Sequence, residues 1–125
     1  MLLRQSFSDW ICFLIDDRSC DDGPAIVDQL SCHSSRFQSL RLRGRKVSPG
    51  PSEARNFGLE QVQTPFVAFC DIDDIWHPLK LERQLAFHSS LNLDLSVSGY
   101  GRFRDDLSPS HIQWRCPPSS LTYRR

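Results

Sequence analysis

Apolar residues are grouped along this chain into short blocks that polar stretches separate. The run Trp10–Ile15 is continuously apolar and rich in aromatic and β-branched residues, which is typical of a strand covered on both faces in a parallel sheet. A weaker alternation over Arg36–Leu42 predicts a second strand that is partly exposed or at an edge. The apolar segment Pro65–Cys70 predicts a third strand, and a period of two over Leu93–Phe103 predicts a fourth.

Helix signals lie between these predicted strands. Pro24 follows a stretch of turn-forming residues and predicts a helix over roughly Pro24–Ser31. Ser52 is expected to cap a second helix, in which Gly58 predicts close packing against a neighbouring strand. Pro78 predicts the start of a third helix. The order β-α-β-α-β-α-β therefore predicts an α/β fold with a largely parallel sheet.

Composition and charge exclude several classes of protein. The chain has 125 residues with 15 basic and 15 acidic side chains, so it fits one compact domain and carries no bulk charge for nucleic acid. The sequence has no transmembrane segment and no signal-peptide pattern, which predicts a cytoplasmic protein. The five cysteines are odd in number and never spaced C-x-x-C. They indicate neither a disulfide framework nor a zinc site, and we expect reduced thiols.

Two acidic clusters come directly after predicted strands. Asp16 and Asp17 end the first strand, and Asp71, Asp73 and Asp74 follow the third. Ligands bind beyond the carboxyl ends of the strands in open α/β sheets, so parallel strands are expected to bring both clusters to one edge. Carboxylates about 5 Å apart repel by roughly 3 kcal/mol at an effective dielectric constant of 20, which favours a bound cation. The D-x-D pattern thus predicts a site for Mg²⁺ or Mn²⁺ carrying a diphosphate, although a solvated acidic turn that caps the next helix fits the spacing equally well.

Other candidate residues have a simple structural interpretation beside the functional one. Asp16 and Asp17 suit a turn or a helix cap, but they could also accept hydrogen bonds from a ribose hydroxyl or a base N–H. Arg55 suits a solvated helix surface, but beside a phosphate it would be a strong donor. His77 suits an exposed or structural position.

Four sequence blocks resemble one known family. They are Q-S-F-S-D-W before a strand that ends in D-D-x-S, G-x-x-x-A-R-N-x-G over Gly50–Gly58, A-F-x-D-x-D-D-x-W-x-P, and K-L-E-x-Q. In this order the segment from about Leu2 to Leu85 resembles the nucleotide-binding half of family 2 glycosyltransferases. The resemblance implies a GT-A (Rossmann-like), largely parallel sheet flanked by helices. It further implies that the family's first strand and its acceptor half are missing from this chain.

The resemblance also implies an activity and its site residues. Family members transfer a sugar from a nucleotide-sugar donor to an acceptor hydroxyl. Asp16 and Asp17 would approach the base and ribose of the donor, and Arg55 would lie near the nucleotide. Asp71 would lie near the ribose and the metal, and Asp73 would ligate Mg²⁺ or Mn²⁺ at the diphosphate. The metal would neutralise charge on the leaving group.

No catalytic residue is nominated from the sequence. The family's general base is expected beyond Arg125, and the acidic pair Asp105 and Asp106 lies too early for that role. The expected division is a nucleotide-sugar-binding portion over residues 1–104 and an irregular tail over 105–125. One departure from the family pattern is Arg18, which stands where glycine is common and raises the question of whether that turn keeps its conformation.

The resemblance leaves the partners and the role of the chain broad. The acceptor could be a saccharide, a lipid-linked saccharide or a protein, in cell-envelope polysaccharide biosynthesis, with peripheral membrane association allowed. One alternative is a non-catalytic remnant or interaction module with exposed strand edges. A less favoured one is a haloacid-dehalogenase-like phosphatase, with Asp71 as nucleophile and Asp73 as acid/base.

Overall fold

The computed structural model describes residues 2–42, 50–102 and 113–115. The chain forms two compact units. One is the continuous stretch Asp9–Asp74, and the other combines Met1–Ser8 with Ile75–Arg125.

The continuous unit is built on a parallel pair of strands. Strand β1 (Cys12–Asp16) leads into helix α1 (Gly23–His33), which returns the chain to strand β2 (Phe37–Arg41). The strands pair in register from Cys12 opposite Phe37 to Asp16 opposite Arg41. Helix α2 (Pro51–Leu59) follows and packs on β1. The predicted α/β class, a parallel sheet flanked by helices, is confirmed.

Helix α2 begins two residues earlier than its sequence predicts. Gly50 is the N-cap with a φ of 89°, a left-handed conformation that glycine adopts without strain, and Pro51 begins the helix. Ser52 therefore lies inside the first turn and is not the cap. Gly58 confirms the prediction of close packing, because an added Cβ would lie 2.5 Å from Cδ1 of Ile15 on β1.

Apolar packing in this unit centres on Phe37. Its ring is buried and meets Trp10 edge-on, with 5.6 Å between the ring centroids, and Arg36 lies over the Trp10 ring at 4.3 Å. All five residues of β1 are only half-buried, and Ile11 before them is exposed. The expectation that this strand is covered on both faces is therefore wrong, because β2 and two helices cover only part of it.

The second unit contains helix α3 (Lys80–Leu91) and an antiparallel pair of short strands. Strand β3 (Tyr100–Arg102) pairs with β4 (Gln113–Arg115). Residues Leu2–Arg4 form a single 3-10 turn. Trp76 and Leu93 are the buried apolar residues among those described in this unit.

Three predicted elements differ from those observed. Residues 65–70 form neither a strand nor a helix, so the predicted third strand is wrong. The fourth strand is shortened to β3 and is antiparallel, because its partner is β4, within a tail for which no regular element was predicted. Helix α3 starts at Lys80, after a turn in which the Lys80 N–H donates to the His77 carbonyl over 2.9 Å. Asp105 and Asp106 lie outside the described residues.

Candidate functional site

The end of β1 turns sharply at its two carboxylates. The Asp16 carboxylate accepts a hydrogen bond from the Ser19 N–H over 2.9 Å, which closes the turn. Asp17 pairs with the guanidinium of Arg18 at 3.0 Å, and both side chains are about three-quarters covered, with 22% and 25% of their surfaces exposed. Asp16 thus has one oxygen committed to backbone geometry, whereas the Asp17 charge is balanced by a neighbouring cation.

Arg18 adopts the left-handed backbone conformation that glycine usually supplies. Its φ is 62°, a region that costs a residue with a Cβ roughly 1–2 kcal/mol. The turn after Asp17 therefore keeps a glycine-like shape despite the arginine. The pairing of Arg18 with Asp17 offsets part of that cost.

The placement of Arg55 follows from the packing of α2 on β1. Gly58 brings the helix close to Ile15, one residue before the Asp16 carboxylate. Arg55 lies three residues earlier on the same helix, and its side chain is 43% exposed. Arg55 is therefore carried by the helix whose small residue Gly58 packs against β1.

Arg55 holds Asp71. A guanidinium nitrogen of Arg55 donates to Oδ1 of Asp71 over 2.8 Å, and the guanidinium also lies 6.0 Å from the ring centroid of Phe69. The two ends of this ion pair are separated by 16 residues. Asp71 is therefore linked through α2 to the strand that ends at Asp16, rather than through a third strand of the sheet.

The D-x-D segment is a turn in which Asp71 is ion-paired and Asp73 has no partner among the described residues. The Asp74 N–H donates to the Asp71 carbonyl over 3.1 Å. The Asp73 side chain is exposed, and no described residue pairs with its carboxylate. Ile72 between them is 96% exposed, so the whole turn projects into solvent.

The ligand chemistry of this turn fits Mg²⁺ or Mn²⁺ only together with a bound phosphate. Carboxylate oxygens are the donors that these cations prefer, and Mg²⁺ is commonly held by one or two carboxylates plus substrate phosphates. Across residues 2–42 and 50–102, no group of three or more His, Cys, Asp or Glu side chains is arranged to hold a metal. Asp71 and Asp73 can therefore offer a cation two carboxylates, and its remaining ligands would have to come from elsewhere.

The structure brings together some of the predicted site residues and not others. Arg55 and Asp71 are in contact, and Asp16 and Asp17 share one turn. The expectation that a third parallel strand delivers Asp71 to the sheet edge is wrong, because residues 65–70 are outside the sheet. His77 makes a local contact, since its Nδ1 accepts the Leu79 N–H over 3.1 Å.

Two glutamines in the family-like blocks have clear contacts that sequence reasoning missed. Gln5 is buried, donates to the His77 carbonyl over 2.9 Å and accepts the Leu81 N–H over 3.1 Å. Gln84 donates to the Ser96 carbonyl and hydroxyl over 3.2 and 3.1 Å. The recurrence of glutamine in the first and last of the four blocks was the available signal.

None of the helices in the part of the chain that the structure describes has the length and apolar character needed to cross a membrane.

Comparison with known proteins identifies the family of this chain. The sequence model for glycosyl transferase family 2 matches residues 1–124. The "Putative teichuronic acid biosynthesis glycosyltransferase TuaG" of Bacillus subtilis is 34% identical over 122 residues, which cover 98% of this chain and 47% of that protein.

Two further relatives have a similar relationship. The UDP-Glc:alpha-D-GlcNAc-diphosphoundecaprenol beta-1,3-glucosyltransferase WfgD of Escherichia coli is 29% identical over 99% of this chain and 46% of its own. An uncharacterized glycosyltransferase of Haemophilus influenzae is 34% identical over 78% of this chain and 38% of its own. The chain spans about half the length of the curated relatives it matches, or less. Because the family match extends over almost every residue, the chain belongs to glycosyl transferase family 2.

Proposed function

We propose that this chain supplies the donor-binding part of a family 2 glycosyltransferase, which transfers a sugar from a nucleoside-diphosphate sugar to an acceptor hydroxyl. The observation that carries the proposal is the ion pair between Arg55 and Asp71 at 2.8 Å. It joins the D-x-D turn to α2, the helix packed on the strand that ends in Asp16 and Asp17. Residues suited to a base, a ribose and a diphosphate thus share one compact unit.

Each side chain has a role that its chemistry supports. The carboxylates of Asp16 and Asp17 accept hydrogen bonds from the base N–H or ribose hydroxyls of the donor. Arg55 donates charge-assisted hydrogen bonds to phosphate oxygens. Asp71 and Asp73 hold Mg²⁺ or Mn²⁺ beside the diphosphate, where the cation supplies neutralisation of the leaving group's charge.

The acceptor step is not assigned to a residue of this chain. The names of the relatives support a role in cell-envelope polysaccharide biosynthesis, with a lipid-linked saccharide as the favoured acceptor class and UDP as the first nucleotide to test. The number and spacing of the cysteines and the composition of the chain support a cytoplasmic location.

The phosphatase alternative loses its support at this site. The chain belongs to glycosyl transferase family 2, and the matched relatives are named as glycosyltransferases. The family match also accounts for the A-R-N block, which a phosphatase leaves unexplained.

Titration calorimetry with UDP, with and without Mn²⁺, tests the proposal. We expect Mn²⁺-dependent binding that Asp73→Ala weakens at least tenfold, because a cation ligand is lost. Asp74→Ala removes the same charge from the same exposed turn and is the matched control, with an expected change of less than threefold. Binding that ignores Mn²⁺, or that survives Asp73→Ala unchanged, would contradict the donor-site assignment.

A further inference from the structure

The two carboxylates of the D-x-D turn are not in equivalent states. Asp71 is engaged by the Arg55 guanidinium at 2.8 Å, whereas no described residue pairs with the Asp73 carboxylate. Both members of the ion pair remain accessible, with 43% of the Arg55 side chain and 61% of the Asp71 side chain exposed. The pair is therefore open to exchange with ions in solution.

A divalent cation and a guanidinium cannot use Asp71 independently. Both seek the same carboxylate, and like charges brought within a few ångströms of each other repel. A cation that binds Asp71 must therefore either displace Arg55 or tolerate its charge. A surface ion pair of this exposure is weak enough to be displaced.

We propose that Arg55 competes with the divalent cation for Asp71, and that a nucleoside diphosphate relieves the competition by drawing the guanidinium to its phosphates. This inference rests on the proposed donor site. Arg55 can make the exchange because its guanidinium presents several donors in one plane, which match phosphate oxygens as well as they match a carboxylate.

The competition couples the binding of the cation to the binding of the nucleotide. The cation alone meets a carboxylate that is already neutralised, so it binds weakly. Once the diphosphate engages Arg55, both oxygens of Asp71 become available and the cation binds more tightly. By thermodynamic reciprocity the cation then strengthens nucleotide binding by the same factor.

Two titrations test this competition. Electron paramagnetic resonance of free Mn²⁺ measures the binding of Mn²⁺ alone, and calorimetry measures the binding of UDP in the presence of Mn²⁺. The variant is Arg55→Gln. The control is Arg41→Gln, which removes an arginine of the same charge from another Arg–Asp pair of the same unit, the one with Asp28.

We expect Arg55→Gln to change the two affinities in opposite directions and Arg41→Gln to change neither. Arg55→Gln should bind Mn²⁺ alone about threefold more tightly, the scale of a surface ion pair. It should bind UDP in the presence of Mn²⁺ about tenfold more weakly, the scale of a lost charge-assisted hydrogen bond. Arg41→Gln should leave both affinities within about twofold.

Equal or weaker binding of Mn²⁺ alone by Arg55→Gln would overturn the competition, because Arg55 would then not oppose the cation. An identical gain in Arg41→Gln would also overturn it, since the effect would be one of net charge. Failure of the donor site itself looks different. Wild-type protein would then show no coupling between UDP and Mn²⁺, and Asp73→Ala would change neither titration.

Discussion

The Cys12 thiol lies on β1, where its chemistry is set by its surroundings. Burial, with a smaller contribution from the neighbouring Cys70, raises the pKa of Cys12 from 9.0 to about 11. Burial acts in this direction because a thiolate loses more hydration than a thiol when water is excluded. Cys20 and Cys32 are exposed thiols on the same unit, which makes them natural references.

We expect iodoacetamide at pH 8 to label Cys12 at least tenfold more slowly than Cys20 or Cys32. The thiolate is the reactive form, and a pKa of about 11 leaves very little of it at pH 8. The rate at Cys12 should continue to rise with pH above 9, because its pKa is about 11. Peptide mass spectrometry of a labelling time course measures each rate. Equal rates at Cys12 and Cys32 would show that β1 does not shield its first residue.

At the scale of elements, α3 is stabilised by a residue far from it in sequence. Its N-cap, Leu79, has no side chain that can accept a hydrogen bond from the first turn. The Gln5 side chain supplies that acceptor to the Leu81 N–H and also satisfies the His77 carbonyl. The glutamine of the first sequence block thus caps the helix that carries the last block.

Replacing Gln5 with alanine should destabilise the unit that contains α3 by about 1–3 kcal/mol. The substitution leaves the Leu81 N–H without its partner, removes one of the two hydrogen bonds to the His77 carbonyl and opens a buried site. Hydrogen exchange of the α3 amides under native conditions measures the effect on that helix. Gln61→Ala is the control, because Gln61 is exposed beyond the end of α2. Equal protection of α3 in both variants would contradict the capping role.

The sequence predicted those elements whose signals are local. Local signals were enough for β1, α1, β2, α2 and α3, because apolar periodicity, Pro24 and Gly58 act within a few residues of themselves. The prediction of a strand at residues 65–70 failed because an apolar run indicates only a tendency to be buried, whereas a strand also needs a partner strand for its backbone hydrogen bonds. The pairing of β3 with β4 failed for a related reason, since it joins residues that no short pattern relates.

The candidate site was predictable to a similar depth. The order of the family-like blocks identified Asp16, Asp71 and Arg55 as candidates. It did not indicate that Arg55 contacts Asp71, because that contact spans 16 residues and depends on how α2 packs. The contact, in turn, is what suggests a competition that no motif contains.

At the scale of the whole molecule, the segment that follows α2 exposes apolar side chains. Phe66 is 46%, Val67 45% and Phe69 56% exposed. An uncharged run with high β-propensity in this state favours association between chains. The sequence pattern predicts a buried strand at residues 65–70, whereas the structure exposes these residues. The two therefore predict different effects of a charged substitution in this segment.

Val67→Lys discriminates between the two. From the structure we expect the free energy of unfolding to change by no more than about 0.5 kcal/mol, because the side chain is exposed, and we expect less self-association. Phe37→Lys is the contrasting variant at a buried position, with an expected loss of about 3 kcal/mol or more. Urea unfolding and sedimentation velocity provide the two measurements. A loss of several kcal/mol in Val67→Lys would show that residues 65–70 are buried in solution.

The contact between Gln5 and the turn before α3 has a consequence during protein synthesis. Its two ends lie 72 residues apart, and at roughly 5–20 residues per second a ribosome needs about 4–14 s to make the intervening chain. The continuous stretch Asp9–Asp74 is made within that interval and contains both parallel strands, α1 and α2. Residues 2–8 therefore have no partners until residues 75 onward are made, while the segment Asp9–Asp74 can already fold. The direction of translation thus favours folding of the continuous unit first.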